Sequence, residues 1–248
     1  MPADQPNTPL HGRRQHFATT QWSLVLAASN QRSADAQQAL TELCETYWYP
    51  LYAYVRRRVE SVHEAQDLTQ AFFCHLLEKE TIAKARPDRG RFRAFLLTAL
   101  KNFLANEWDK ARAEKRGGGR TKLSLDFDSA ESRFQIEPFH ELTPEKLFQR
   151  QWVFTLLNRV LDSLQTELAQ AGKQDHFKQL KGALTGEATA DDYARAAEML
   201  GITPAAAKQA AYRMRKRYRE MFRREVARTT AREEEISDEM QRLLRTLA

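Results

Sequence analysis

A chain of 248 residues has room for one large domain or two small ones, since domains mostly run to on the order of 100–150 residues. Hydrophobic residues at 42% and charged residues at 29% give a globular balance with enough Leu, Phe, Trp and Tyr to bury a core, so the chain should fold. The net charge of +6 suits a polyanionic partner, because phosphates attract clustered Lys and Arg through counterion release. No apolar run approaches the roughly 20 residues that span a bilayer, and Met1 to Arg14 has no signal-peptide core, so neither membrane insertion nor export is expected. Cys44 and Cys74 lack a CxxC or HxxxH-type arrangement, so no disulfide framework and no metal site is indicated, and a reducing cytoplasm fits.

Residues 1–17 carry Pro2, Pro6, Pro9 and Gly12 among polar neighbours and read as a disordered lead-in. From there to Arg116 apolar residues recur at three- and four-residue spacing, the pattern of amphipathic helices. Trp22, Leu24, Val25 and Leu26 open a first helix; Leu40, Leu43, Tyr47, Leu51, Tyr54 and Val55 stripe a second. Leu68, Phe72, Phe73, Leu76 and Leu77 stripe a third, and Phe92, Phe95, Leu96, Leu100, Phe103 and Leu104 a fourth. Between these two, Glu80 to Arg91 contains Pro87 and Gly90 and forms a loop. Gly117 to Gly119 end the domain, since three glycines carry too large a backbone entropy cost to stay helical.

Asp126 to Glu145 holds six acids against Arg133, an acidic connector expected to be extended. Thr143 as N-cap with Pro144 at the first helical position then starts a second helical domain. The fold class is therefore all-α: two small helical domains, 18–116 and 144–228, joined by an acidic linker at 117–143 and followed by a helical extension at 229–248.

Tyr193 to Leu200, Gly201-Ile202-Thr203 and Pro204 to Arg217 read as helix, tight turn, helix. Gly201 suits a left-handed turn position, Ile202 plugs the angle, and Thr203 with Pro204 starts the next helix. From Lys208 to Arg228 nine basic residues face only Glu220 and Glu225, so this helix can lie in a major groove with its first turns near base edges. The alternative is a helical hairpin with a solvated charged face. A second basic stretch, Arg86 to Arg116, interleaves cations with Phe92, Phe95, Phe103 and Trp108, a pairing that can hold single-stranded DNA. Helical spacing assigns Phe95 and Phe103 to the core and leaves Trp108 open between core and stacking.

The order Leu40–Val59, Glu64-Ala-Gln-Asp-Leu-Thr-Gln-Ala-Phe-Phe73, Arg91-Phe-Arg-Ala-Phe-Leu-Leu-Thr-Ala-Leu-Lys-Asn102, acidic linker and terminal helix-turn-helix resembles the extracytoplasmic-function sigma factors, over roughly Thr20 to Val226. The resemblance implies a bacterial, cytoplasmic transcription-initiation factor that is not an enzyme and needs no cofactor, with core RNA polymerase and promoter DNA as partners. It implies that Glu64, Asp67, Leu68 and Gln70 bind the polymerase. It assigns Arg89, Arg91, Arg93, Lys101, Asn102, Asn106, Lys110 and Arg112 to the −10 element, with the Glu80–Arg91 loop capturing an unstacked base. It assigns Thr203, Lys208, Gln209, Tyr212, Arg213, Arg215 and Arg217 to the −35 element. Ala210 departs from the family's usual Arg, Asp109 interrupts a normally basic run, and Gln66 stands where an acid is usual, so promoter sequence does not carry over.

An enzyme is not expected: His75 and His140 lack a base–nucleophile pattern, and no phosphate-loop Lys follows Gly117–Gly119. The competing reading is a stand-alone helix-turn-helix regulator that binds duplex DNA without polymerase. Three regulatory expectations accompany the resemblance. The connector lies in a basic polymerase channel or is simply solvated. The tail, with Ile236, Met240, Leu243, Leu244 and Leu247 on one face, folds back on the protein or contacts a regulator such as an anti-sigma factor. Thr69 either packs beside Leu68 and Phe72 or is phosphorylated by a Ser/Thr kinase, which would restore the charge missing at Gln66.

Overall fold

The computed structural model describes Val25 and residues 34–78, 81–86, 90–113, 125–136, 141–184, 186, 188–230 and 233–247, and among these it forms nine α-helices and no strand. They are α1 (Ala34–Arg56), α2 (Val62–Glu78), α3 (Phe92–Ala113), α4 (Phe127–Ile136), α5 (Pro144–Gln170), α6 (Gln174–Leu180), α7 (Ala190–Leu200), α8 (Pro204–Ala227) and α9 (Ile236–Arg245). The helix expected around Trp22 lies outside the described residues except for Val25, which is helical and buried, and Gly117 to Gly119 also lie outside them.

α1 is the central rod. Every residue from Tyr49 to Val55 is buried, which in a helix requires neighbours on all sides. α2, α4 and α5 supply them, and the α1–α5 pair is the most extensive helix contact of the fold. Pro50 sits inside α1, where it removes one backbone donor, and the helix nevertheless continues to Arg56 under this packing.

Where it is described, the connector is helical and not extended. Residues 127–136 form α4, whose start is capped by the Asp126 carboxylate accepting from the Ser129 N–H at 3.2 Å. Phe127, Ala130 and Phe134 fall at helical spacing, and Phe127 packs against Trp48 and Tyr52 of α1 with ring centroids 6.0 and 5.5 Å apart. The six acids conceal that stripe in the sequence, because the net charge of the segment is carried on its other faces.

Nor does the connector divide two cores. Tyr47, Phe72, Leu96 and Leu100 share one apolar cluster with Phe148, Trp152 and Leu156 of α5, Phe222 and Val226 of α8, and Ile236 and Leu243 of α9. A second, smaller cluster holds the far end of α5 through Leu164 to Phe177, Leu180, Tyr193, Ala197, Ala207, Ala211 and Met214. α5 is therefore a strut of 27 residues, about 40 Å long at 1.5 Å per residue, with one end in each core.

Candidate nucleic-acid interface

α2 begins at Ser61, whose Oγ accepts from the Glu64 N–H at 3.3 Å. Glu64 and Asp67 are exposed, Gln66 and Gln70 are half-buried, and Leu68 is buried against the core. The chain thus presents an acidic edge above an apolar anchor. Thr69 is not on that edge. It is 0% exposed, and its hydroxyl donates to the Ala65 carbonyl at 2.7 Å. Burial favours the packing alternative over phosphorylation: the hydroxyl is closed to a kinase in this fold, and a dianion placed there would be desolvated.

Along α3, Asn102, Asn106 and Lys110 are exposed on one face at four-residue spacing, Lys110 in an ion pair with Glu107 at 3.0 Å. Phe103 is core, packed on Phe72 and His75. Phe95 is half-buried and stacks on Phe92. Trp108 is half-buried with the Arg58 guanidinium 5.2 Å from its ring centre, so one face of the indole already carries a cation.

Three other cations assigned to this face are engaged by distant acids. Lys101 Nζ lies 2.7 Å from Glu145 of α5, and the Glu145 carboxyl is held below its ordinary pKa by that bond. Arg91 donates to Glu239 of α9 at 2.6 Å. Arg93 is 5% exposed, donates to the same Glu239 and to Gln149 at 3.1 Å, and has its guanidinium carbon over the Trp152 ring at 4.4 Å. Burial lowers the Arg93 pKa, and the Glu239 charge opposes that shift. As folded here, Arg93 is a core residue engaged by Glu239 and not an open surface contact. Arg89 and the side chain of Arg112 lie outside the described residues. Of the loop before α3, residues 81–86 and 90–91 are described: a short 3-10 turn, Ile82–Lys84, with Ala85 at its end, anchors it by burying Ile82 and Ala85.

The second basic element is built by local rules. Thr189 and Asp192 form a reciprocal capping box that starts α7. Gly201 ends it at φ 63°, a left-handed conformation that costs other residues strain, while the Ile202 N–H returns to the Ala197 carbonyl at 3.0 Å. Two residues on, the Thr203 Oγ1 accepts from the Ala206 N–H at 3.2 Å and Pro204 opens α8. Ala196 and Ala197 meet Ala207 and Ala211 without bulk between them, so the two helices approach closely.

On α8 the residues Lys208, Tyr212, Lys216, Arg219 and Arg223 recur every three or four positions and are all exposed. Gln209 and Arg213 lie beside them, and Tyr212 leaves 57% of its surface open. Arg215 and Arg217 turn the other way. Arg215 donates to the Tyr193 hydroxyl at 3.3 Å and the Ala183 carbonyl at 3.4 Å, and Arg217 is bidentate to Glu167 with its closest approach at 2.5 Å. That bond raises the Arg217 pKa and lowers that of Glu167. These two arginines brace the hairpin against α5 and the turn before α7, whereas Lys208, Gln209, Tyr212 and Arg213 face outward.

Sequence reasoning missed the acids that hold the halves together. Glu131 accepts from the Tyr52 hydroxyl at 2.6 Å and from Arg56 at 3.1 Å, and Arg159 of α5 reaches back to Glu42 at 2.8 Å and to Thr46. Glu239 left a legible signal: Ile236, Glu239, Met240 and Leu243 are spaced as one helical face, so an acid stands in an apolar row and calls for a buried cation.

Residues 43–114 match the family model described as Sigma-70 region 2. No curated protein and no solved structure gives a significant match. The matched span runs from mid-α1 to just past α3 and includes the acidic edge of α2 and the Asn102–Asn106–Lys110 face. It supports a sigma-70 type of factor acting in transcription initiation through core RNA polymerase and promoter DNA, a class of initiation factors and not of enzymes. Among the described residues no helix is long and apolar enough to cross a membrane.

Proposed function

We propose, from the Sigma-70 region 2 match at residues 43–114, that the protein is an alternative sigma factor of the extracytoplasmic-function type, directing a bacterial polymerase to particular promoters in the cytoplasm. In this reading two modules, 18–116 and 144–228, carry separate tasks. The edge formed by Glu64, Asp67 and Gln70, with Leu68 beneath it, docks on a basic surface of the polymerase. Asn102, Asn106 and Lys110 run along the opened −10 strand, with Arg112 continuing the same helix and Arg89 in the preceding loop. Thr203, Lys208, Gln209, Tyr212 and Arg213, at the start of α8, read the −35 duplex in the major groove.

The observation that carries the reading is the pairing of the matched region with an exposed basic stripe on the helix that follows a tight turn. A polymerase-binding domain joined to a groove-sized basic helix is the combination a promoter-reading subunit needs, since one part brings the catalyst and the other the address. An anti-sigma factor covering the α2 edge belongs to the same reading.

The test is run-off transcription with purified core polymerase and a library of promoter fragments. Promoter-dependent transcripts that appear only when the protein is added are expected. Absence of transcripts from every fragment, together with specific duplex binding by the protein alone, would establish the stand-alone regulator instead.

A further inference from the structure

Three carboxylates from the later part of the chain each hold a cation of the first part: Glu131 holds Arg56, Glu145 holds Lys101, and Glu239 holds Arg91 and Arg93. Glu239 stands apart by its burial. Its side chain is 0% exposed, against 12% for Glu131 and 41% for Glu145. One oxygen accepts from Arg93, and the other from Arg91 at 2.6 Å and from Arg242 at 3.2 Å. Guanidinium groups converging on a pair of anionic oxygens form the same kind of clamp that recognises a phosphate. Trp152 and Gln149 hold the rest of the Arg93 guanidinium in place, so removing α9 bares a clamp that is already oriented.

We infer that α9 is an autoinhibitory latch, in which the Glu239 carboxylate occupies an Arg91–Arg93 clamp that takes a DNA backbone phosphate once α9 lifts away. Glu145 of α5 pairs with Lys101 further along α3, but both side chains stay about two-fifths exposed, so that pair is not part of the latch. The inference rests on the sigma-factor reading only for the identity of the strand as promoter DNA. The clamp itself is a statement about single-stranded phosphate backbone, and it can fail or hold independently.

The test uses the full chain and a fluorescent single strand of about 16 nucleotides of random sequence, read by anisotropy over a range of salt. Glu239→Gln keeps the shape of the side chain and removes the charge. If the open state is about a tenth of the population, the variant binds about tenfold more tightly. The clamp on its one phosphate also steepens the slope of log affinity against log salt by at most about 0.7, the value for one phosphate contact on a single strand. Glu234→Gln, an exposed acid of the turn before α9, changes net charge equally and should leave the slope alone. Leu243→Ala loosens α9 with the carboxylate intact and should move affinity in the same direction as Glu239→Gln. Hydrogen exchange on the unaltered protein needs no variant: saturating oligonucleotide should speed exchange of the α9 amides. Unchanged affinity and slope in Glu239→Gln, or α9 amides that stay protected while the strand is bound, overturn the latch. Run-off transcription with the same proteins separates the two claims. Transcripts from the unaltered protein with no gain on Glu239→Gln refute the latch alone, whereas tighter strand binding with no transcript from either protein refutes the sigma-factor reading alone.

Discussion

Replacing Trp152 by Ala should destabilise the first half of the molecule although the residue belongs to the second. The indole is fully buried on α5, stacked on Tyr47 of α1 at 6.5 Å, with the Arg93 guanidinium of α3 at 4.4 Å from its ring centre. Truncating a buried Trp to Ala costs about 3–5 kcal/mol through lost transfer energy and the cavity left behind. The desolvated cation–π contact with Arg93 contributes about 2 kcal/mol of that total, and it should emerge as the coupling energy in a double-mutant cycle with Arg93→Met. Against a typical net stability of about 5–15 kcal/mol, such a loss is a large fraction of the whole. Urea unfolding gives the total, and hydrogen exchange of α1 and α3 shows where it is lost. A cost below about 1 kcal/mol, or a loss of protection confined to α5–α8, would refute the larger, shared core that joins the two halves.

Lys208→Ala and Arg213→Ala should each weaken recognition of the upstream promoter element, by about 1–3 kcal/mol where the side chain meets a base edge; competition binding against altered sequences reads it, and equal binding to every sequence refutes the placement. Gly201→Ala should cost about 1–2 kcal/mol, because φ 63° forces a Cβ into the left-handed region although nothing lies within 4 Å of that carbon; thermal unfolding measures it, and an unchanged midpoint would mean the turn relaxes. For Glu131, burial raises the carboxyl pKa, but the bonds from Tyr52, Arg56 and Gln135 outweigh it and leave the folded value below the ordinary one. The stabilisation from this clasp is therefore complete above the unfolded carboxylate pKa of about 4.3 and is lost as pH falls through the lower folded value. Glu131→Gln should melt earlier than the unaltered protein at neutral pH and converge with it in acid, and a gap independent of pH would contradict the sign. Thr69→Glu should lower stability without strengthening polymerase binding, as expected for a charge forced into a buried position, and tighter binding in a pull-down with core polymerase would restore the phosphorylation reading.

What the sequence determines by itself is what short-range chemistry determines. The α7–α8 hairpin is legible down to its caps because every device in it, Thr189 with Asp192, Gly201, and Thr203 with Pro204, acts within a few residues of itself. The stripes of α1, α2 and α3 are legible for the same reason, since helical periodicity repeats every turn. The sequence order also carried the resemblance to sigma factors, which the Sigma-70 region 2 match at residues 43–114 supports at the level of the sigma-70 type. α4 was hidden because the acids around Phe127, Ala130 and Phe134 dominate its composition, while only the packing on Trp48 and Tyr52 reveals which face decides. Which cations face outward was hidden more deeply. Arg93 and Lys208 look alike in sequence, and nothing near Arg93 announces that its partner Glu239 lies 146 residues away. A buried charge needs an opposite charge, but the chain can supply it from anywhere, so only the tertiary structure decides whether an arginine waits for a phosphate or already holds a carboxylate.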